Sequence, residues 1–227
     1  QMRLSATFES HLSGDPRLSV LFAPGSSNSV IVGMPNGSTS DTYVGTDGVS
    51  VPGVTDRHVY AQTHSALKGK DVPMVFQTYA EVEFLKAEAA IRGWISSSAK
   101  EHYDKGVTAA MKMLKQLYPA STAITDAEIS AYLAGPGAYD ASKGWEMAMN
   151  EYWKATFLNE YEAYANWRRT GYPTLTPTKH PNSVSNNQIF RRMIYPGGES
   201  ATNGDNYAAA VARQGADDFT TRMWWDK

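Results

Sequence analysis

Three helix-start signals between residues 78 and 128 constrain the fold of this chain more than any other feature of its sequence. Each is a capping box, in which a Thr or Ser precedes a Glu by three positions, so that side chains satisfy the free amides of the first helical turn. The boxes begin at Thr78, Ser98 and Thr125. The apolar residues that follow predict helices ending at Gly93, near Leu117 and before Gly135. The apolar residues of the first helix cover more than one face, so we expect other elements to pack on two of its sides.

A fourth helix is predicted from about residue 143 to residue 170, ended by Gly171 and Pro173. Aromatic and apolar residues recur along it at steps of three and four, a pattern that is more typical of core than of a ligand site. A last short helix is predicted over residues 207–214. The paired Trp224 and Trp225 near the end predict a tail docked into a groove, because loose ends rarely carry so much apolar area.

Residues 1–75 have a different character, with dense turn signals such as Pro35-Asn36-Gly37 and Pro52-Gly53 between short β-branched pieces. This pattern predicts long irregular loops with a few short strands, covering a helical scaffold over residues 76–227. Long loops of this kind often bind ligands. The overall prediction is a mainly α fold in one domain.

Composition excludes several classes of function. The 227 residues carry a formal net charge of −2, which gives no electrostatic reason to expect nucleic acid as a partner. There is no Cys, so disulfides, thiolate metal sites and a cysteine nucleophile are excluded. No apolar run of about 18 residues exists that would span a membrane as a helix. The first residues lack the apolar core of a signal peptide, which favours a mature, processed or fragmentary chain.

No motif for catalysis, metal or cofactor is found. The His residues show no HExxH pattern, and there is no nucleophile elbow, Walker loop or dinucleotide fingerprint. Glu81, Glu83 and Glu88 share one predicted helix, and paired carboxylates are what a glycoside hydrolase uses. Capping by Glu81, and pairing of Glu83 with Lys86 and of Glu88 with Arg92, explain them better. We therefore expect a protein that is not an enzyme and needs no cofactor or metal.

The first two predicted helices carry small and aromatic residues at the spacing of a tetratricopeptide hairpin: Ala87, Ala99, Tyr103 and Gly106. Small residues let two antiparallel helices approach closely, and the aromatic ring fills the remaining gap. One hairpin cannot bury both its faces, so further helices must pack on it.

Several segments, in order along nearly the whole chain, resemble the SusD/RagB-like outer-membrane proteins, and within them the second SusD-like subfamily. The stretch 79–94 resembles the signature helix of that family, and Asp15-Pro16-Arg17 resembles its usual pattern before the helical region. The other segments that carry the resemblance are 151–154, 165–173, 191–196 with Glu199, and the closing Trp224-Trp225-Asp226.

The resemblance implies a SusD-like fold, with tetratricopeptide-like helical hairpins and ligand-facing loops. It also implies a surface-exposed lipoprotein of the outer membrane that captures glycan or peptide nutrients and delivers them to a SusC-like, TonB-dependent barrel transporter. Members of the family are longer and begin with a lipid-anchored Cys. This chain contains neither that anchor nor an N-terminal helical half, so we expect its domain to continue into a missing half.

Sugar rings present apolar faces that stack on aromatic side chains, while a few polar groups fix their orientation. The candidate ligand-binding residues therefore lie in the loops before the first predicted helix: Asn36, Tyr43, Arg57, His58 and Tyr60. Two alternatives remain open, a helical-repeat adaptor that binds a protein partner through its concave face, and an α-helical glycoside hydrolase.

Overall fold

The computed structural model describes residues 2–36, 57–179 and 182–226. Helices dominate, and the only strands of the described residues form one antiparallel pair, so the predicted mainly α architecture is confirmed. In chain order the elements are α1 (Ala6–His11), α2 (Arg17–Leu21), β1 (Phe22–Ala23), β2 (Gln62–Thr63), α3 (Tyr79–Ile91), α4 (Ala99–Leu117), α5 (Asp126–Ala134), α6 (Gly144–Ala155), α7 (Glu160–Thr170), α8 (Glu199–Thr202) and α9 (Gly204–Gln214).

The three helix starts form as their sequences predict. At α3, Thr78 Oγ1 accepts from the Glu81 amide at 3.2 Å, and Glu81 Oε1 accepts from the Thr78 amide at 2.9 Å. Thr125 and Glu128 form the same reciprocal pair at α5. At α4, Ser98 caps the helix, but Glu101 pairs with Lys105 instead of reaching back. Local side-chain chemistry therefore sets where these helices begin.

Helices α3 and α4 pack against each other as a tight hairpin around Phe84 and Tyr103, whose rings meet edge to face with centroids 6.4 Å apart. Gly106 faces the Phe84 ring so closely that a Cβ there would lie only 2.6 Å from a ring carbon. The predicted close approach of a small residue and an aromatic ring is confirmed. Helix α6 packs on the other side of α3, which gives that helix its two buried faces.

The predicted single helix over residues 143–170 is wrong, because the chain breaks between α6 and α7. Thr156 still donates its amide to the Tyr152 carbonyl at 3.0 Å, and its Oγ1 donates to the Tyr152 and Trp153 carbonyls. Two residues later, Leu158 adopts a left-handed conformation, with φ of +73°. The break turns Phe157 into an apolar cluster, where its ring lies 5.3 Å from Phe8. Burial of this ring outweighs the helical periodicity that the sequence shows.

The N-terminal layer contains two helices, α1 and α2, that the prediction of loops with a few strands misses. Strands β1 and β2 pair in antiparallel register, Phe22 with Thr63 and Ala23 with Gln62. Apolar side chains of this layer form a second core cluster under the loops, which includes Leu4, Phe8, Leu12, Leu21, Phe22 and Leu67. Short helices of five and six residues depend on such packing, so their sequences carry little signal.

Four buried charges join this layer to the helical scaffold. Arg17 bonds both to Asp15, with 2.5 Å between Nη2 and Oδ2, and to Glu151, with 2.6 Å between Nη2 and Oε2. Lys154 pairs with Glu151 and Asp15 and donates to the Tyr132 hydroxyl at 2.7 Å. Burial alone would raise the pKa of Glu151, but the two cations and the hydrogen bond from Tyr132 lower it to about 2.

The C-terminal segment follows the prediction in part. Helix α9 covers the predicted residues 207–214 and begins three residues earlier, at Gly204. The tail is docked through Trp225, which lies 4.6 Å from the Arg168 guanidinium, and through the buried Asp226. Trp224 contributes little to this docking, because its side chain is 83% exposed.

The close contact at Gly106 generates a test of the hairpin. We expect Gly106→Ala to lower the free energy of unfolding, because the new methyl group meets a Phe84 ring that is fully buried and has no room to shift. Overpacking typically costs about 1–3 kcal/mol, against a gain in helix propensity of at most about 1 kcal/mol. Urea denaturation measures the difference. Gly204→Ala, where a Cβ meets nothing within 4 Å, is the matched control, and equal stability of both variants would contradict this packing.

Candidate functional site

The loop layer in front of the scaffold is held by backbone pairing between distant segments. The Ala61 amide donates to Val32 at 2.8 Å, the Leu4 amide donates to Ala61 at 3.0 Å, and the Met34 amide donates to Leu4 at 2.6 Å. These bonds hold the chain near Asn36 and near Arg57, the two residues that flank residues 37–56. Tyr43 belongs to that intervening segment and lies outside the described residues.

Asn36 and His58 are both exposed on this layer. The Asn36 side-chain amide donates to Thr7 Oγ1 at 2.9 Å, which orients it against α1. His58 lies in a single 3-10 turn, Arg57–Val59, and its carbonyl accepts from the Ser27 amide at 3.2 Å. The backbone of Arg57 belongs to the same turn, whereas its side chain is outside the described part. Asn36 on one side, and Arg57 and His58 on the other, therefore flank residues 37–56 in the chain.

Tyr60, the fifth candidate, lies inside the layer and not on its surface. Its side chain is 0% exposed, its hydroxyl has no hydrogen-bond partner among the described residues, and burial raises its pKa. A sugar ring cannot stack on an aromatic face that lies inside the protein. The sequence offers no signal for this burial, because it results from pairing of residues 57–63 with segments far away in the chain.

Exposed aromatic residues occur elsewhere on the surface. Trp94 is 68% exposed and Tyr161 is 90% exposed, in addition to Trp224. Trp94 follows α3, where the Arg92 guanidinium lies over its ring at 5.1 Å and 4.6 Å from the ring of Trp145. Trp224 instead stands at a cavity, where an aromatic ring offers the flat apolar face that sugars use.

An open cavity of about 640 Å³ lies along the hairpin, between the segment before α3 and one face of α4. Its lining combines apolar side chains with two lysines, and includes Val75, Tyr79, Lys105, Lys112, Met113 and Leu117. Two neighbours in the segment that leads to it, Met74 and Phe76, are each 82% exposed. Large exposed apolar side chains that cluster in this way mark a surface that another polypeptide or ligand covers.

The three carboxylates of α3 are engaged in structural contacts, as the sequence predicts. Glu81 caps the helix, Glu83 pairs with Lys86 at 3.0 Å, and Glu88 pairs with Arg92 at 2.9 Å. Glu88 also binds Arg169 of α7 at 2.6 Å, a partner that the sequence does not reveal.

Glu83 has a further partner in α4. Its Oε2 lies 2.6 Å from His102 Nδ1, and His102 Nε2 lies 2.7 Å from Ser97 Oγ. Although burial opposes it, hydrogen bonds from His102, Lys86 and Tyr79 lower the pKa of Glu83 to about 2. The carboxylate therefore stays ionised at neutral pH and ties the start of α4 to α3.

No three His, Asp or Glu side chains in residues 2–36, 57–179 and 182–226 are grouped so that they would hold a metal ion. None of the helices described there is long and apolar enough to cross a membrane.

Comparison with known proteins relates this architecture to one family. The family model for SusD-like proteins, described as starch-binding and associating with the outer membrane, matches residues 1–196. No curated protein matches the chain.

Solved structures extend this similarity to the fold. A chitin-binding protein is 32% identical and superposes with a TM-score of 0.82, covering 99% of this chain and 50% of its own. A SusD-like protein of Bacteroidetes AC2a is 34% identical, with a TM-score of 0.70 over 78% of this chain and 35% of its own. A SusD homologue from Bacteroides fragilis NCTC 9343 is 25% identical, with a TM-score of 0.79, covering 99% of this chain and 52% of its own. The chain thus spans about half the length of these proteins, or less.

The burial of Tyr60 predicts opposite effects for two substitutions. Tyr60→Phe removes a hydroxyl that is buried without a partner, so we expect stability to stay equal or to rise, since such a group costs about 1–3 kcal/mol. Tyr60→Ala leaves a cavity and should cost about 3–5 kcal/mol. Chemical denaturation distinguishes the two, and a loss of more than about 1 kcal/mol in Tyr60→Phe would show that the hydroxyl has a partner after all.

Proposed function

Because the chain belongs to the SusD-like family of starch-binding proteins that associate with the outer membrane, we propose that it captures glycans at the cell surface and delivers them to a SusC-like, TonB-dependent transporter. The observation that carries this proposal is the match over residues 1–196. The 32% identity to a chitin-binding protein supports a glycan as the ligand. The role requires binding without catalysis. The α3 carboxylates support this role, because each of them caps the helix or pairs with a cation.

The loop between Asn36 and Arg57 is the proposed place of ligand contact. The described chain on either side of it is held within the N-terminal layer by the pairing of residues 4, 32, 34 and 61. Asn36 and His58 are exposed on these two sides, and we propose that they act with Tyr43 and Arg57. Tyr60 supports the layer from below.

We also propose that the domain continues into an N-terminal half, which carries the lipid anchor of a surface-exposed outer-membrane lipoprotein. The related structures are about twice as long as this chain. The cavity along α3 and α4, with the exposed Met74 and Phe76 beside it, is the surface that this half would cover. Burial of such side chains contributes roughly 1.5–3 kcal/mol each.

Glycan binding is testable by isothermal titration calorimetry with chito-oligosaccharides and malto-oligosaccharides. We expect one of these series to bind, and Tyr43→Ala to weaken binding by roughly 10–100-fold, as the loss of one stacked aromatic side chain predicts. His58→Ala should have a smaller effect.

Trp94→Ala is the matched control for that experiment, because it removes an exposed aromatic ring outside the loop layer. Absence of binding to both series would contradict capture of chitin-type and starch-type glycans. Normal binding by the Tyr43 and His58 variants would instead move the ligand to another part of the surface.

The transport role has its own test, because it names a membrane partner. Affinity purification of the native protein from detergent-solubilised outer membranes should recover a β-barrel transporter in near-stoichiometric amount. Recovery of a soluble protein instead would favour the adaptor role that tetratricopeptide-like hairpins also serve. A mock purification from cells that lack the protein controls for barrels that bind the resin.

A further inference from the structure

A cavity of about 340 Å³ lies between α9 and the C-terminal tail, apart from the loop layer and from the hairpin. Its volume is at the lower end of the range of roughly 300–1,000 Å³ that ligand pockets occupy. The lining residues are Tyr195, Ala210, Arg213, Gln214, Arg222 and Trp224. Polar and aromatic groups thus converge on one small space.

Asp217 holds one wall of this cavity in place. Its carboxylate accepts from the Tyr195 amide at 3.1 Å and pairs with the buried Arg192 at 3.0 Å. Tyr207 of α9 donates to the same carboxylate at 3.3 Å, and its ring meets that of Tyr195 edge to face with centroids 5.7 Å apart. The Tyr195 side chain is therefore positioned before any ligand arrives.

Asp226 holds the opposite wall. It is 1% exposed and accepts from Arg222 at 3.1 Å and from Arg191 at 3.0 Å. Its neighbour Trp225 lies against Arg168 of α7. With the chain fixed at these two residues, the Trp224 ring stands at the cavity with most of its surface in solvent.

The charge of the lining is one-sided. Arg213 and Arg222 contribute two guanidinium groups, and none of the described residues that line the cavity carries a carboxylate. Arg213 is exposed and has no ion-pair partner among the described residues, so its donors are available to a ligand. Gln214 donates to Met223 Sδ at 3.4 Å, which leaves its amide oxygen to accept from a hydroxyl group.

We infer that this cavity binds an acidic sugar, through its carboxylate at the Arg213 guanidinium and through its apolar ring face at Trp224, with the Arg222 guanidinium, held by Asp226, lining the same space. Arginine matches a carboxylate with two parallel hydrogen bonds. An inorganic anion would use the arginines but leave the exposed indole and Tyr195 unexplained. The inference rests on the proposed glycan function and specifies its substrate class, namely glycans that contain uronic acid units.

The test uses trigalacturonic acid as the probe and neutral galactotriose as its matched counterpart, titrated calorimetrically into the full chain. We expect the acidic trimer to bind at least about tenfold more tightly than the neutral one, since a charge-assisted hydrogen bond contributes about 1.5–3 kcal/mol. Arg213→Gln should remove most of that preference. Trp224→Ala should weaken binding of the acidic trimer by roughly tenfold or more.

Two control variants remove the same kinds of group at other places on the surface. Lys68→Gln removes one exposed positive charge elsewhere, and Trp94→Ala removes another exposed indole. Both should bind the acidic trimer as the unaltered chain does. Because Arg213 and Trp224 are exposed, their variants should keep the melting temperature of the unaltered protein, which circular dichroism checks.

The outcomes separate this inference from the proposed function. Equal affinity for both trimers, or full affinity in Arg213→Gln and Trp224→Ala, overturns the acidic-sugar site while chitin or starch binding at the loop layer stands. Acidic-trimer binding that is lost in these two variants supports the site, whatever the neutral chito- and malto-oligosaccharides do.

Discussion

The rest of the structure depends on the buried charge cluster of Asp15, Arg17, Glu151 and Lys154. Its two positive and two negative groups sum to zero in a site almost without solvent. Burying any one of them alone would cost several kcal/mol, and removing one partner from such a group typically costs about 3–5 kcal/mol. Two members belong to the N-terminal layer and two to α6, so the four charges fix how the layer sits on α6. The positions of Asn36 and Arg57, which belong to this layer, follow from that arrangement.

Where local chemistry decides, the sequence predicts the structure well. The starts of α3, α4 and α5 follow from Thr78, Ser98 and Thr125, each of which satisfies amides within its own first turn. The closeness of α3 and α4 follows from small residues at hairpin spacing. Where distant residues decide, prediction fails. Helix α2 depends on Arg17 meeting Glu151, and the break after Ala155 depends on Phe157 meeting Phe8, contacts that no periodicity contains.

The candidate sites show the same division. Asn36 and His58 are exposed, as their turn-rich surroundings predict. Tyr60 is buried, because its neighbour Ala61 pairs with Leu4 and Val32 in the manner of a strand. The cavity beside α9 unites side chains from three separate segments, around residues 195, 213 and 223. The Trp224-Trp225 pair predicts a docked tail but not which side chain is buried, and in the structure Asp226 is buried while Trp224 is exposed. Recognition surfaces assembled in this way are visible only in three dimensions.

The chain beyond Trp167 is held by a different kind of contact from the core. The buried hydrophobic residues of the described chain end at Trp167, and beyond it the buried side chains include Arg192 and Asp226. Guanidinium groups at Arg168, Arg191 and Arg192 lie over aromatic rings there. Little apolar area holds this segment to the core, so we expect the tail and α9 to open more readily than α3 and α6, with amide hydrogens that exchange sooner.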